Sequence, residues 1–106
     1  MTDYRVVLVT CPSLEEAEKI ARRAVEEKLA ACVNISSRVI SVFWWENKVE
    51  RAEEVFLVIK TKKNKIERLI DLVKKTHSYQ VPEIISLPVT EGSKNYLEWI
   101  EKVIEH

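Results

Sequence analysis

Two strand-like runs in the middle of the chain constrain it most. Cys32 to Trp45 and Val49 to Thr61 are rich in β-branched and aromatic residues, and only Glu46-Asn47-Lys48 separates them. So short a polar connection predicts one long antiparallel hairpin. Asn47 tolerates the left-handed backbone that such a bend often needs. A polar interruption at Ser36-Ser37-Arg38 predicts a bulge in the first arm. Every other element has to pack against this ribbon.

The flanking segments alternate in type. Tyr4 to Thr10 is an apolar, β-branched run closed by Cys11-Pro12, which predicts a first strand. Ser13 follows as an N-cap with Glu16 at the capping-box position. Leu14, Ala17, Ile20, Ala21, Ala24 and Val25 then fall at helical spacing, predicting a helix to about Leu29. Lys65 to Thr76 reads as a second helix, with Ile66, Leu69, Ile70 and Val73 on one face. Ile84 to Val89 reads as a fourth strand, and Gly92-Ser93 restarts the chain into a third helix carrying Tyr96, Leu97, Ile100, Val103 and Ile104. The order β-α-β-β-α-β plus a terminal helix is α+β: a ferredoxin-like split βαβ two-layer sandwich. Right-handed crossovers place the first two helices on one face of a four-stranded antiparallel sheet. With no internal linker or repeat, residues 1–106 read as a single domain.

These strands do not alternate as they should if one sheet face met water. Val6-Val7-Leu8-Val9 and Val55-Phe56-Leu57-Val58-Ile59 put apolar side chains on both faces, and the adjacent Trp44 and Trp45 point to opposite sides. The third helix covers part of the second face. The remainder, with the edge of a hairpin longer than its neighbours, predicts an obligate homo-oligomer.

Composition removes several function classes. Lys and Arg together number 17, as do Asp and Glu, so no basic surface invites nucleic acid. No apolar run approaches the roughly 20 residues needed to span a bilayer, so no membrane association is expected. The opening residues read as a strand rather than a signal peptide, and a cytoplasmic location is expected. Hydrophobic residues make up 46% of the chain, enough for a core without a disulfide, so Cys11 and Cys32 are expected as free thiols. The single glycine argues against a phosphate-cradling loop of the usual kind.

The chemically capable groups gather in two places. Cys11 lies between a strand end and a helix start, where the helix N-terminus favours thiolate; alternatively it is a small residue packed beneath that helix. Cys32, at a strand start, reads as a buried core thiol. His77, Ser78, Tyr79, Gln80, Pro82 and Glu83 form a cluster after the second helix. His77 is either a functional imidazole or a cap on the helix carbonyls. Thiolate and imidazole suit copper and zinc, but no CxxC, HxxxH or EF-hand spacing occurs.

Three words recur in order: Glu27-Lys28-Leu29-Ala30-Ala31-Cys32-Val33-Asn34; Trp44-Trp45-Glu46-Asn47-Lys48; and His77-Ser78-Tyr79-Gln80-Val81-Pro82-Glu83-Ile84 with Tyr96-Leu97-Glu98-Trp99. Thr10-Cys11-Pro12 and Ile59-Lys60-Thr61 accompany them. Over nearly its whole length the chain thereby resembles the CutA divalent-cation tolerance family. The resemblance implies a cytoplasmic homotrimer concerned with copper and other divalent cations, with no organic cofactor and no enzymatic activity. The metal ligands proposed within that family fall on Cys11, His77 and, as a further candidate, Glu83. Two departures stand out: the family commonly has proline where this chain has Ser78, and glycine where it has Asn47 at the hairpin tip. The resemblance also implies an architecture like that of the trimeric PII signal proteins. A signalling or scaffold trimer with a small ligand or protein partner in its subunit clefts is therefore the alternative function, and an enzyme using Cys11 and His77 a third.

Overall fold

The computed structural model describes residues 2–105. Strand β1 spans Tyr4–Cys11, helix α1 Leu14–Glu26, β2 Cys32–Trp45 and β3 Lys48–Lys62. A 3-10 turn at Lys63–Lys65 leads into α2, Ile66–Thr76, followed by β4 at Ile84–Pro88 and α3 at Lys94–Glu105. The sheet order is β2-β3-β1-β4 with every pairing antiparallel. This is the arrangement expected from the element order, with each crossover helix spanning the strand inserted between its own two.

Pairing parity divides the sheet into two faces. Val7 opposes Ile59, Val9 opposes Leu57 and Cys11 opposes Val55. These residues share the buried face with Val33 and Ile35 of β2. Ala17, Ile20 and Ala24 of α1 and Leu69, Leu72 and Val73 of α2 close the core over them. Each large aliphatic side chain buried here contributes roughly 1.5–3 kcal/mol. The buried Thr61 hydroxyl donates to the Leu29 carbonyl at 2.7 Å, tying the exit of α1 to β3.

The other face is only partly covered. Ile100 and Ile104 of α3 pack with Ala31 and against Tyr4, while Lys62 pairs with Glu101 at 2.8 Å and Glu105 at 3.7 Å. This cover stops short of Ile85 and Leu87, and of the distal hairpin, where Ile40, Val42, Trp44 and Val49 are at least 60% exposed. Cys32 is half-buried rather than a core thiol. It opposes Lys60 on this second face, where Tyr96 hydrogen-bonds it, because the first residue of β2 points toward α3 and not toward α1.

The hairpin carries the predicted irregularity. Register shifts between Ser36 and Val39, with Arg38 at φ 64°. Trp45 opposes Lys48 across a two-residue bend in which Glu46 and Asn47 have φ of 49° and 65°, the left-handed pair of a type I′ turn. The ribbon projects beyond the helices and gives the chain extents of 44 × 25 × 23 Å.

Candidate metal centre

Four chain segments converge where β1 ends. Cys11 is the last residue of β1, and Ser13 caps α1, its hydroxyl accepting from the Glu16 amide at 3.2 Å. Antiparallel crossovers bring the C-terminus of α2 beside the N-terminus of α1. His77 is therefore the C-cap of α2 and Glu16 lies in the first turn of α1. β4 begins next to Val9. The topology thus joins a thiol, an imidazole and a carboxylate that are far apart in sequence. One ligand atom from each of Cys11, Glu16 and His77 lies within 4.8 Å of the others.

The imidazole is fixed from both sides. Its Nε2 is 2.6 Å from the Thr10 carbonyl, and its Nδ1 is 3.1 Å from the Tyr79 amide. A carbonyl only accepts, so Nε2 carries the proton. An amide N–H only donates, so Nδ1 keeps its lone pair. The His77 backbone amide caps the Val73 carbonyl of its own helix at 2.8 Å, but the imidazole does not; the ring reaches across to β1. Glu16 Oε2 accepts from the Ser78 amide at 3.2 Å and stands 3.4 Å from Nδ1. In this tautomer the approach is between two acceptors rather than an ion pair.

Of the two sequence-based readings of Cys11, the structure favours the small residue packed beneath the helix over the activated thiolate. Cys11 sits beside a helix N-terminus, yet its thiol is pushed up to about 12 from an ordinary 9.0. Burial is the main cause, followed by the carboxylates of Glu16 and Glu54. The side chain has no exposed surface, so desolvation outweighs the helix dipole and the group is a neutral thiol. Tyr79 lies outside it, ring centre 4.9 Å from that of His77, with its hydroxyl bonded to the buried Glu54 carboxylate. Burial and that bond raise the phenol to about 12.

Of the sequence-predicted site residues, Cys11 and His77 meet. Glu83 is exposed and lines a neighbouring cleft of about 750 Å³ between the Ser78–Glu83 loop and the hairpin arm. The carboxylate that joins Cys11 and His77 is Glu16, which sequence reasoning assigned to the capping box alone. Its amide plays that part, but its carboxylate serves another. Glu54 was missed too; it lies in the polar first part of β3, where the sequence does not set it apart from Glu50 and Glu53.

The donor set fits a divalent ion of borderline softness. Sulfur, imidazole nitrogen and carboxylate oxygen are the ligands zinc and copper select. Tetrahedral zinc spaces its ligand atoms by roughly 3.5 Å, which the Nδ1–Oε2 gap already matches. The Nε2–H bond to a backbone carbonyl is the outer contact that metal-bound histidines characteristically make.

Residues 5–103 match the family described as CutA1 divalent ion tolerance protein. A divalent-cation tolerance protein CutA of Archaeoglobus fulgidus is 46% identical over 102 residues, covering 96% of this chain and 99% of that protein. The human protein CutA is 43% identical over 97 residues; the chain covers 92% of its own length but 54% of the human one. Among solved structures, CutA from Xylella fastidiosa superposes with a TM-score of 0.94 at 37% identity, covering 97% of this chain and 99% of that one. The periplasmic divalent cation tolerance protein CutA from A. fulgidus gives 0.92 at 46% identity over 95% and 98%. With the family's match spanning almost the whole fold and relatives of this identity at near-full coverage, the chain belongs to the CutA1 divalent ion tolerance family.

Proposed function

We propose that this protein binds divalent cations directly, copper foremost, through Cys11 and His77, as a cytoplasmic homotrimer without enzymatic activity. The observation that carries the reading is the meeting of a thiol and an imidazole 66 residues apart in sequence within 4.8 Å, together with a carboxylate. That combination selects soft and borderline ions over Ca²⁺ and Mg²⁺, which take oxygen cages. Support for the trimer comes from the apolar residues left open on the second sheet face and the distal hairpin. Support for a non-enzyme role comes from the site itself. The Cys11 thiol has no exposed surface and burial raises its pKa to about 12, which is the reverse of an activated nucleophile.

What the residues do follows from their contacts. Thr10 sets the His77 tautomer through its carbonyl. The Tyr79 amide holds Nδ1 until an ion takes its place. Cys11 loses its proton on ligation, so binding releases protons and strengthens as pH rises. The test is a calorimetric Cu(II) titration of the wild type and of the Cys11→Ser, His77→Ala double variant, with the mass measured in the same buffer. One saturable ion per subunit, lost in the double variant, is the expected result. No binding, or binding that the variant retains, overturns the reading.

A further inference from the structure

We propose that Glu16 is the third ligand of this centre and that the backbone amide of Ser78 is its positioning group. The inference rests on the cation-binding reading above and adds which oxygen completes the site.

Glu16 is the third residue after its N-cap Ser13, the position from which a capping-box carboxylate turns back to the cap's own amide. Here that carboxylate instead accepts from the Ser78 amide of the loop after α2. This contact swings Oε2 to within 3.4 Å of His77 Nδ1 and into the group with Cys11. The Glu16 side chain is only 16% exposed there and the imidazole not at all. Two lone-pair atoms thus face each other beside a buried sulfur. Each of the two atoms already accepts from one main-chain amide, and a cation that takes the place of the Cys11 proton is held by all three ligand atoms. The Tyr79 amide, the only donor on Nδ1 among the described residues, is a main-chain group on an exposed loop and can give way.

The other carboxylates nearby are excluded by their contacts. Glu54 is held by the Tyr79 hydroxyl, and Glu83 is exposed on the cleft wall. Ser78 matters through its N–H and not its hydroxyl, since only the amide reaches Glu16. Proline at this position has no N–H to offer. His77, at φ −78° and ψ 139°, has the backbone that a residue preceding proline prefers, so the His77 conformation is compatible with a substitution that removes the hydrogen bond.

Zn(II) and Co(II) titrations of the full chain test this, read by calorimetry and by the visible absorption of cobalt bound to thiolate. Glu16→Gln and Ser78→Pro each weaken binding about 10- to 100-fold and shift the cobalt spectrum. Ser78→Ala, which keeps the amide, and Glu83→Gln bind as the wild type does. Should Glu16→Gln bind within twofold of wild type while Cys11→Ser abolishes binding, the centre stands and the Glu16 assignment falls. Should the wild type take up neither ion at millimolar concentration, the cation-binding reading falls with it. Glu16→Gln is nearly isosteric, so it remains decisive if Ser78→Pro folds poorly.

Discussion

At the scale of single residues, burial decides the chemistry of Cys11. A thiol raised from 9.0 to about 12 holds its proton more tightly in the folded state than in the unfolded one. The unfolded chain loses this proton first. The contribution of this group to the stability of the metal-free protein is therefore level below about pH 9 and falls as pH climbs toward 12, by at most about 1.4 kcal/mol per pH unit. Tyr79 acts in the same direction, but at 37% exposed its effect is weakened by solvent. Urea unfolding at pH 8 and pH 10.5 checks this: the wild type loses more stability across that interval than Cys11→Ser, whose hydroxyl does not titrate there. Equal losses would mean that the thiol is not the group responsible.

At the scale of elements, the chain makes its left-handed turns without glycine. Its one glycine, Gly92, is not at positive φ; Leu97 packs against it, 3.3 Å from where a Cβ would stand. Lys28, Arg38, Glu46 and Asn47 take those conformations instead. Lys28 ends α1 in a Schellman motif: its amide bonds the Val25 carbonyl at 3.0 Å and the Leu29 amide bonds that of Ala24 at 2.9 Å. A side chain in this conformation costs about 1 kcal/mol. Lys28→Gly and Glu46→Asn are expected to stabilise the fold by roughly 0.5–1 kcal/mol each, read as a rise in the thermal midpoint. The opposite sign for Lys28→Gly would show that the lysine side chain contributes more than its backbone strain costs. Thr61 is a reverse case. Thr61→Val leaves the Leu29 carbonyl without its buried donor and costs roughly 1–2 kcal/mol.

At the scale of the whole molecule, one sheet face is sealed by α1 and α2 and the other is sealed only at the end where α3 lies. Trp44 is 73% exposed and Val42 67%, on the arm that extends past the helices. Covering such a patch is favoured in water. In the proposed trimer these residues are covered, so light scattering gives a three-chain mass for the wild type. Val42→Glu with Trp44→Glu is expected to lower that mass while circular dichroism stays native-like. A variant that remains three-chain would remove the arm from the interface.

The order of strands and α-helices was readable along the chain, because it depends on local periodicity, capping and turn chemistry; the 3-10 turn at Lys63–Lys65 was not. The hairpin arm Cys32–Trp45 and its bulge near Ser36–Arg38 were legible on that basis, and so was the bend, read as Glu46-Asn47-Lys48 and tightened by the pairing of Lys48 with Trp45 to Glu46-Asn47. The pairing of Cys11 with His77 was legible too, through family resemblance rather than spacing. The tertiary structure alone decided which carboxylate joins them. Glu16 and Glu83 look equally available along the chain, but antiparallel packing of α1 on α2 turns one inward and leaves the other in solvent. It also decided that Cys11 is a neutral thiol. A helix N-terminus can be read from neighbouring residues, whereas desolvation depends on what the rest of the chain packs over the sulfur.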